Sequence, residues 1–470
     1  MSVDSPPLGA TRSGAFELRA PALETRTTAS RTWIGLLGLA GMLLTGVLVA
    51  LAAANTEDLL PQTVHLAIGQ LGLAGSFGTT GIDLGSVGLT IVMAAMFISY
   101  LATVAVADRL SPLLVLGTIA ALTTLIMLAP PLVSTDIFSY QFYGRLGEVY
   151  HANPYVTGPH ALALDPLYQY IDWKWVYTPT VYGPLFTAFS YVLAPLSIPV
   201  SVFAYKAIAA VSSLAIVALV WNGARLRGVN QVKAAALVGL NPLIVVYGVG
   251  GGHNDLLMLA PLMAGVVLLL KGRGRLSGGS IVAAAAVKVT AGLVLPFALA
   301  DARGALARGA LQRTRRRDLL IGAGVAAAAL AVFSFAMFGT GPLHLPGTID
   351  TVQANGNWQS IPGFIGTRLG LGTVGHPVTL GLAALFAGAL GWLLWRVWRG
   401  RLDWIAGAGW AALALLVTAA SLLPWYAAWL MPLAALGRDR RLWRASLALT
   451  VVMAFFQLLA YIPHGSAVTL

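Results

Sequence analysis

Long apolar blocks alternate with short polar or basic turns along most of this chain. Nearly unbroken apolar runs occupy residues 32–54, 84–106, 112–130, 200–221, 231–248, 255–270, 319–338, 378–396, 404–422, 425–437 and 445–462. A hydrocarbon core about 30 Å thick takes roughly 20 residues of helix to cross, so each run reads as a membrane span. No segment shows the ten-residue alternation of a membrane β-barrel. Two stretches depart from the pattern. Residues 184–197 are apolar but are broken by Pro195, with Pro199 following. Proline suits an interfacial break better than a span, so a helix on the outer interface is predicted there, then a single span. Residues 277–300 lie between two basic turns and must enter and return, which predicts a hairpin of two short helices. Non-helical backbone at that depth is tolerated where protein or a cavity surrounds it. The sum is an all-α polytopic membrane protein of about eleven to thirteen spans.

Composition agrees with this class. Hydrophobic residues make up 58% of 470 and charged residues only 10%, too few to coat a soluble protein of this length. The formal charge of +12 sits in short turns: Arg225 and Arg227, Lys271 to Arg275, Arg303 to Arg317, Arg396 to Arg401, and Arg438 to Arg444. The positive-inside rule places these turns in the cytoplasm of a plasma-membrane protein. Only Trp398 and Trp443 fall within them, too few for a stacking platform, which argues against nucleic acid as a partner. Residues 1–31 then read as a disordered cytoplasmic tail without a signal-peptide layout. Residues 32–470 read as one transmembrane domain with two large outer loops, 131–199 and 339–376. There is no cysteine and no internal repeat, so neither a disulfide frame nor inverted-repeat transporter architecture is supported.

The polar residues that break this pattern are the candidate chemistry. Over residues 131–182 the first outer loop mixes Asp136, Asp165 and Asp172 with ten tyrosines and tryptophans, Tyr140, Tyr143 and Tyr182 among them. Aromatic rings stack on pyranose faces and carboxylates accept hydroxyl protons, which suits a sugar; a plain interfacial aromatic belt is the competing reading. In "STDIFSY", Ser134, Thr135 or Asp136 could cap a helix. If that helix continues, Tyr140 and Tyr143 share a face with Asp136, while Arg145 points away. Free of a cation and near the hydrocarbon edge, Asp136 is expected to have a raised pKa, as suits a general base. Lys206 and Lys288 lie within apolar segments, where ionisable groups face cavities or partners unless they snorkel. With His253 they could surround a phosphate. "GGGHNDLLM" gathers His253, Asn254 and Asp255 at the outer end of a span, where Asn254 or Asp255 could equally cap the helix. Asn357 and Trp358 in "ANGNWQS", and Trp425 and Tyr426 in "SLLPWYAAW", are weaker signals at outer turns.

Taken in order, "STDIFSYQFYGR", "ANPY", "VYGPLF", "GGHNDLLM" and "AVKVTAGLVLPF" resemble the actinobacterial polyprenol-phosphomannose-dependent α-1,6-mannosyltransferases, members of the GT-C superfamily. The resemblance runs over roughly residues 85–460. It implies a GT-C-like bundle with interfacial helices in its large outer loop, Asp136 as the base and tyrosines beside it lining the sugar site. Two spans precede the one ending at Pro130, where many members of that superfamily place their acidic loop after the first span. The expected reaction is inverting mannosyl transfer from a polyprenyl phosphomannose to an α-1,6-mannan, lipomannan or other lipid-linked mannoside on the extracytoplasmic side. Lys206, His253 and Lys288 would hold the donor phosphate. Tyr140, Tyr143, Tyr182, Asn254, Asp255, Asn357, Trp358, Trp425 and Tyr426 would line the sugar and acceptor site. A monophosphate donor requires no metal cofactor in principle, although Asp165, Asp172 and Glu148 could bind a divalent ion. Polyprenol-phosphate glucose or arabinofuranose transfer, and a lipid-linked sugar flippase, are the alternatives.

Overall fold

A computed structural model describes residues 22–61, 81–301, 310–354, 356–371 and 375–461. Every regular element among them is helical. In chain order these are α1 (Ala22–Ala52), α2 (Gly85–Val106), α3 (Pro112–Leu128), α4 (Asp136–Glu148), α5 (Pro184–Leu193), α6 (Ile198–Arg227), α7 (Gln231–Gly239), α8 (Asn254–Leu270) and α9 (Gly274–Val287). There follow α10 (Val294–Ala300), α11 (Ala310–Phe338), α12 (Leu345–Ala354), α13 (Ile361–Arg368), α14 (His376–Trp398), α15 (Trp404–Thr418), α16 (Ala427–Leu436) and α17 (Arg440–Tyr461). Short 3₁₀ turns fill several connections, and a π-helical segment, Leu243–Val249, continues α7 after a 45° bend.

Among the described residues, six helices are long and apolar enough to cross a bilayer alone: the 32–52 part of α1, α2 with its following turn, α6, the 315–338 part of α11, α14 and α17. The bent α7 pair makes a seventh. The expected eleven to thirteen spans are therefore not reached by helix length. The remaining apolar helices, such as α3, α8 and α15, are 17 residues or shorter. At 1.5 Å per residue they reach about 25 Å or less and depend on neighbours to complete a crossing. Of the expected tail, residues 1–21 lie outside the described residues, while 22–31 are the first turns of α1.

The interior is assembled by α6 packing on α8, α8 on α9, and α9 on α11, with α16 wedged against α7, α8 and α15. By contrast, only 6% of the apolar window of α14 is buried in protein, so its side chains face lipid. Residues 277–300 form the expected hairpin of short helices: α9 ends at Val287, Lys288 is extended (φ −150°, ψ 124°), and a 3₁₀ turn leads into α10. Residues 184–193 form the expected short helix before the single long α6. The basic turns converge at one end of the bundle. There Arg227 pairs with Asp403 at 2.9 Å, Arg275 with Asp318 at 2.9 Å and Arg315 with Asp301 at 3.7 Å.

Candidate active site

Asp136 is placed by a pinned and strained lead-in. Pro130 and Pro131 follow α3, where no helix can continue. Leu132 N–H then donates to Gly250 O at 3.0 Å and Val133 N–H to Leu59 O at 2.9 Å, so two distant segments hold the strand of chain between them. Val133 stands at φ +62°, and Ser134 N–H closes a tight turn onto Leu132 O at 2.7 Å. A β-branched residue in this region costs on the order of 1–3 kcal/mol and persists only where the surroundings impose it. Ser134 Oγ accepts from Asp136 N–H at 3.2 Å, and α4 begins. Thr135 is the cap position and no side chain caps the helix, so the Asp136 carboxylate is free to face the cluster.

The second contribution comes from "GGGHND". Gly252 has φ +65°, and a Cβ there would fall 2.7 Å from Ile137 Cδ1. The turn thus needs glycine both for its backbone and for its approach to α4. It delivers His253, Asn254 and Asp255 to the start of α8; His253 is the cap position, and no side chain caps the helix. The alternative role of Asn254 and Asp255 as helix caps is therefore not the one they take. His253 Nδ1 lies 3.4 Å from Asp136 Oδ2. Tyr140 OH reaches the same Asp136 oxygen at 3.4 Å, His253 Nδ1 at 3.4 Å and Asn254 Oδ1 at 3.3 Å. These contacts are long, with room to tighten around a bound substrate.

The third contribution is Lys288, set free from helical geometry by the break after α9. Gly183 N–H donates to Val287 O at 3.0 Å, tying the first outer loop to this break. Lys288 Nζ bonds Asp255 Oδ1 at 2.7 Å, and the same oxygen accepts from Trp429 Nε1 at 2.7 Å. The ammonium stands 4.8 Å from the Tyr426 ring centre and 5.2 Å from that of Trp429, and those rings stack on each other. Trp425 stacks on His253 with ring centres 3.5 Å apart. Asp255 and His253 are almost wholly enclosed, whereas the side chains of Asp136 and Lys288 keep 21% and 14% exposure. Among the ionisable groups of this cluster, one carboxylate and one ammonium are therefore open to the outside, beside the half-buried Tyr426 and Trp429.

The expectation that Asp136 is free of cations with a raised pKa is corrected. Burial does push its carboxyl up, but the His253 hydrogen bond and charge, Lys288 and the Tyr140 hydroxyl outweigh that, and the group lies below its ordinary value. It is a carboxylate at neutral pH. Nearby, several buried polar atoms have no protein partner: His253 Nε2, Asn254 Nδ2, Asp255 Oδ2 and Trp425 Nε1. Such orphans are rare in folded proteins and mark ligand positions when they cluster. The Nε2 of His253 differs from the others, since it sits 2.6 Å from where a Gly251 Cβ would stand and so faces the glycine turn.

The other expected residues divide. Tyr182 packs edge-on against Tyr140 at 5.0 Å, and Tyr143 lies next to it while donating to Thr178 O at 2.8 Å. Lys206 is buried beside the turn, but its ammonium donates to Ala129 O and Pro130 O. It thus secures the end of α3 and the lead-in to Asp136. Asn357 clasps another loop, donating to Leu422 O at 3.2 Å and accepting from Leu422 N–H at 3.3 Å, and Trp358 beside it is half-buried. Arg145 turns away from Asp136, as its spacing predicts, and binds Asp165 through Nε and Nη2 at 2.9 and 2.7 Å. Trp429 is the residue missed from sequence. Its i+4 spacing from Trp425 and i+3 from Tyr426 in "PWYAAW" is the signal that could have found it.

Comparison with known proteins agrees with the sequence resemblance. A family profile described as "Alpha-(1->6)-mannopyranosyltransferase, N-terminal domain" matches residues 32–303, and one described as "MptB C-terminal domain" matches 359–470. The chain is 30% identical to alpha-(1->6)-mannopyranosyltransferase A of Mycobacterium tuberculosis, over 73% of this chain and 69% of that protein. It is 29% identical to alpha-(1->6)-mannopyranosyltransferase B of Corynebacterium glutamicum, over 73% of this chain and 61% of that one. A Mycolicibacterium smegmatis protein named as a probable alpha-(1->6)-mannopyranosyltransferase is 28% identical over 71% of this chain and 67% of its own length. No solved structure matches the chain.

Proposed function

The chain belongs to the alpha-(1->6)-mannopyranosyltransferase family, and from that premise we propose that it is a mannosyltransferase using a polyprenyl phosphomannose donor. Mannose passes to a hydroxyl of an α-1,6-mannan or lipid-linked mannoside on the extracytoplasmic side, with inversion at the anomeric carbon. The observation that carries the reading is that, of the four ionisable side chains in the cluster, one carboxylate and one ammonium, Asp136 and Lys288, keep exposure while Asp255 and His253 are enclosed.

In this mechanism the acceptor oxygen attacks C1 of mannose while Asp136 takes its proton. The bond from C1 to the phosphate oxygen breaks, and its electrons leave with the polyprenyl phosphate. Lys288 meets the charge that grows on that oxygen. The Trp425 and Asn254 N–H groups, buried and unpartnered, are donors of the kind that stabilise such charge when aimed beforehand. His253 holds Asp136 in place and keeps it ionised. Its own Nε2 faces the glycine turn, which favours the carboxylate rather than the imidazole as the base. Tyr140 and Tyr182 form a buried wall beside Asp136, and the Tyr140 hydroxyl holds its carboxylate in place. Lys206 acts from behind, by fixing the carbonyls that precede the base.

The test is transfer from radiolabelled polyprenyl phosphomannose to a short α-1,6-mannoside by the purified full chain in detergent. Asp136→Asn is expected to lower kcat by roughly 10²–10⁴, the usual contribution of a positioned base, with donor binding retained. Undiminished transfer by the Asn variant would remove Asp136 from the mechanism.

A further inference from the structure

A cavity of about 570 Å³ lies away from the acidic cluster, at the other end of α16. Tyr426 precedes that helix and Gly437 follows it, so its ten residues separate the two places by roughly 15 Å. Five arginines line the cavity: Arg227, Arg401, Arg438, Arg440 and Arg441. They come from the end of α6, the turn before α15, and the turn before α17 with that helix's first residues, the segments read from sequence as cytoplasmic.

Two aspartates share the wall, and both are occupied. Asp403 accepts from Arg227 at 2.9 Å and from Ala406 N–H at 3.1 Å, capping α15. Asp439 accepts from Trp410 Nε1 at 2.9 Å and from the N–H groups of Arg441 and Leu442 at 2.8 and 3.2 Å, capping α17. These bonds fix the walls without neutralising the remaining arginines. Arg401, Arg438 and Arg440 make no ion pair among the described residues, and Arg441 meets Asp439 only through its N–H and its charge. Arg401 lies over the Trp395 ring at 5.3 Å, which restrains its guanidinium. Arg438 keeps a long side chain at φ +49°, where glycine is the ordinary choice.

Arginines placed only to orient a membrane protein need no concavity and no restraint. Forked guanidinium groups around a recess match phosphate oxygens two at a time. Basic pockets between membrane helices on the cytoplasmic side are also where phosphate-bearing head groups lodge. We propose that this cavity binds a phosphate-bearing anion, held by Arg401, Arg438, Arg440 and Arg441. A lipid headgroup and a soluble phosphate compound share this chemistry.

Phosphatidylglycerol, phosphatidylcholine and inorganic pyrophosphate would each be titrated into the full chain in detergent, with thermal unfolding as the readout. Saturable stabilisation by phosphatidylglycerol alone supports a headgroup site, and stabilisation by pyrophosphate as well supports a general phosphate site. The Arg438→Gln/Arg440→Gln variant is expected to bind at least about tenfold more weakly, with mannosyl transfer unchanged. Arg273→Gln, in a basic turn outside the cavity, should bind like the wild type. Equal loss in both variants would mean dispersed surface charge and would overturn the proposal, as would no saturable binding of either anion. If the double variant does not fold, Arg440→Lys replaces it. A several-fold loss then supports the forked contact, and unchanged affinity overturns it.

Discussion

Replacing Lys288 with Met separates what this residue does for the fold from what it does for chemistry. The ammonium is bonded at 2.7 Å to Asp255, whose side chain is only 1% exposed. Removing it leaves that carboxylate buried with the Trp429 N–H as its remaining partner. Breaking a buried pair from one side costs about 3–5 kcal/mol. Lys288 is itself 14% exposed, so the lower end, roughly 3 kcal/mol, is expected in denaturant unfolding of the detergent-solubilised protein. Adding Asp255→Asn removes the stranded charge and should restore most of that loss. Activity should behave differently. A group that meets developing charge on a leaving oxygen contributes on the order of 10²–10³ in kcat, and a neutral Asn at 255 cannot supply it. The double variant should therefore be as stable as the wild type, or nearly so, and still slow. If Lys288→Met/Asp255→Asn recovers transfer together with stability, Lys288 is only the counter-ion of Asp255 and the phosphate assignment fails.

Two further outcomes follow from the same geometry. Because the Asp136 carboxyl lies below its ordinary value, the stability its ionised form contributes is complete above about pH 4 and is lost as pH falls through the folded value. The acid limb of kcat/KM should accordingly lie below about pH 4 and move upward in Lys288→Met; a limb near neutrality in the wild type would point to another base. Chelation with EDTA should leave transfer intact, since Asp165 is held by Arg145, and Asp165, Asp172 and Glu148 do not gather into a group of three metal-binding side chains among the described residues. Loss of activity with EDTA, restored by one divalent ion, would refute this.

Helix positions were largely readable because lipid imposes a length on apolar runs. The pattern predicts 84–106 and 255–270, and the helices occupy 85–106 and 254–270. Positive turns likewise marked the 277–300 hairpin, since two basic ends leave the chain no other path. The number of full-length crossings was less readable, because short helices such as α15 carry the same composition as long ones. Within the site, spacing along one helix foretold that Tyr140 reaches Asp136 and that Arg145 does not. Partners from other helices were hidden. Nothing in the sequence says that His253 stands beside Asp136, which reversed the expected pKa, or that the Lys206 amino group ends on the Ala129 and Pro130 carbonyls just past α3. Those facts depend on how helices rotate against each other, a property of the packed core rather than of any local period.

The contacts of Asp255 also set an order of assembly. Its partner Lys288 follows 33 residues later, while Trp429 follows 174 residues later. At 5–20 residues per second, synthesis separates Asp255 from Trp429 by roughly ten to thirty-five seconds. Pairing of the carboxylate with the ammonium needs only α8 and α9, so the two helices can enter the bilayer as a hairpin without a net charge at this point. The aromatic wall arrives only with α16. A growing chain can therefore carry this acid and this base as a pair, and gains the aromatic wall around them only when α16 has been made.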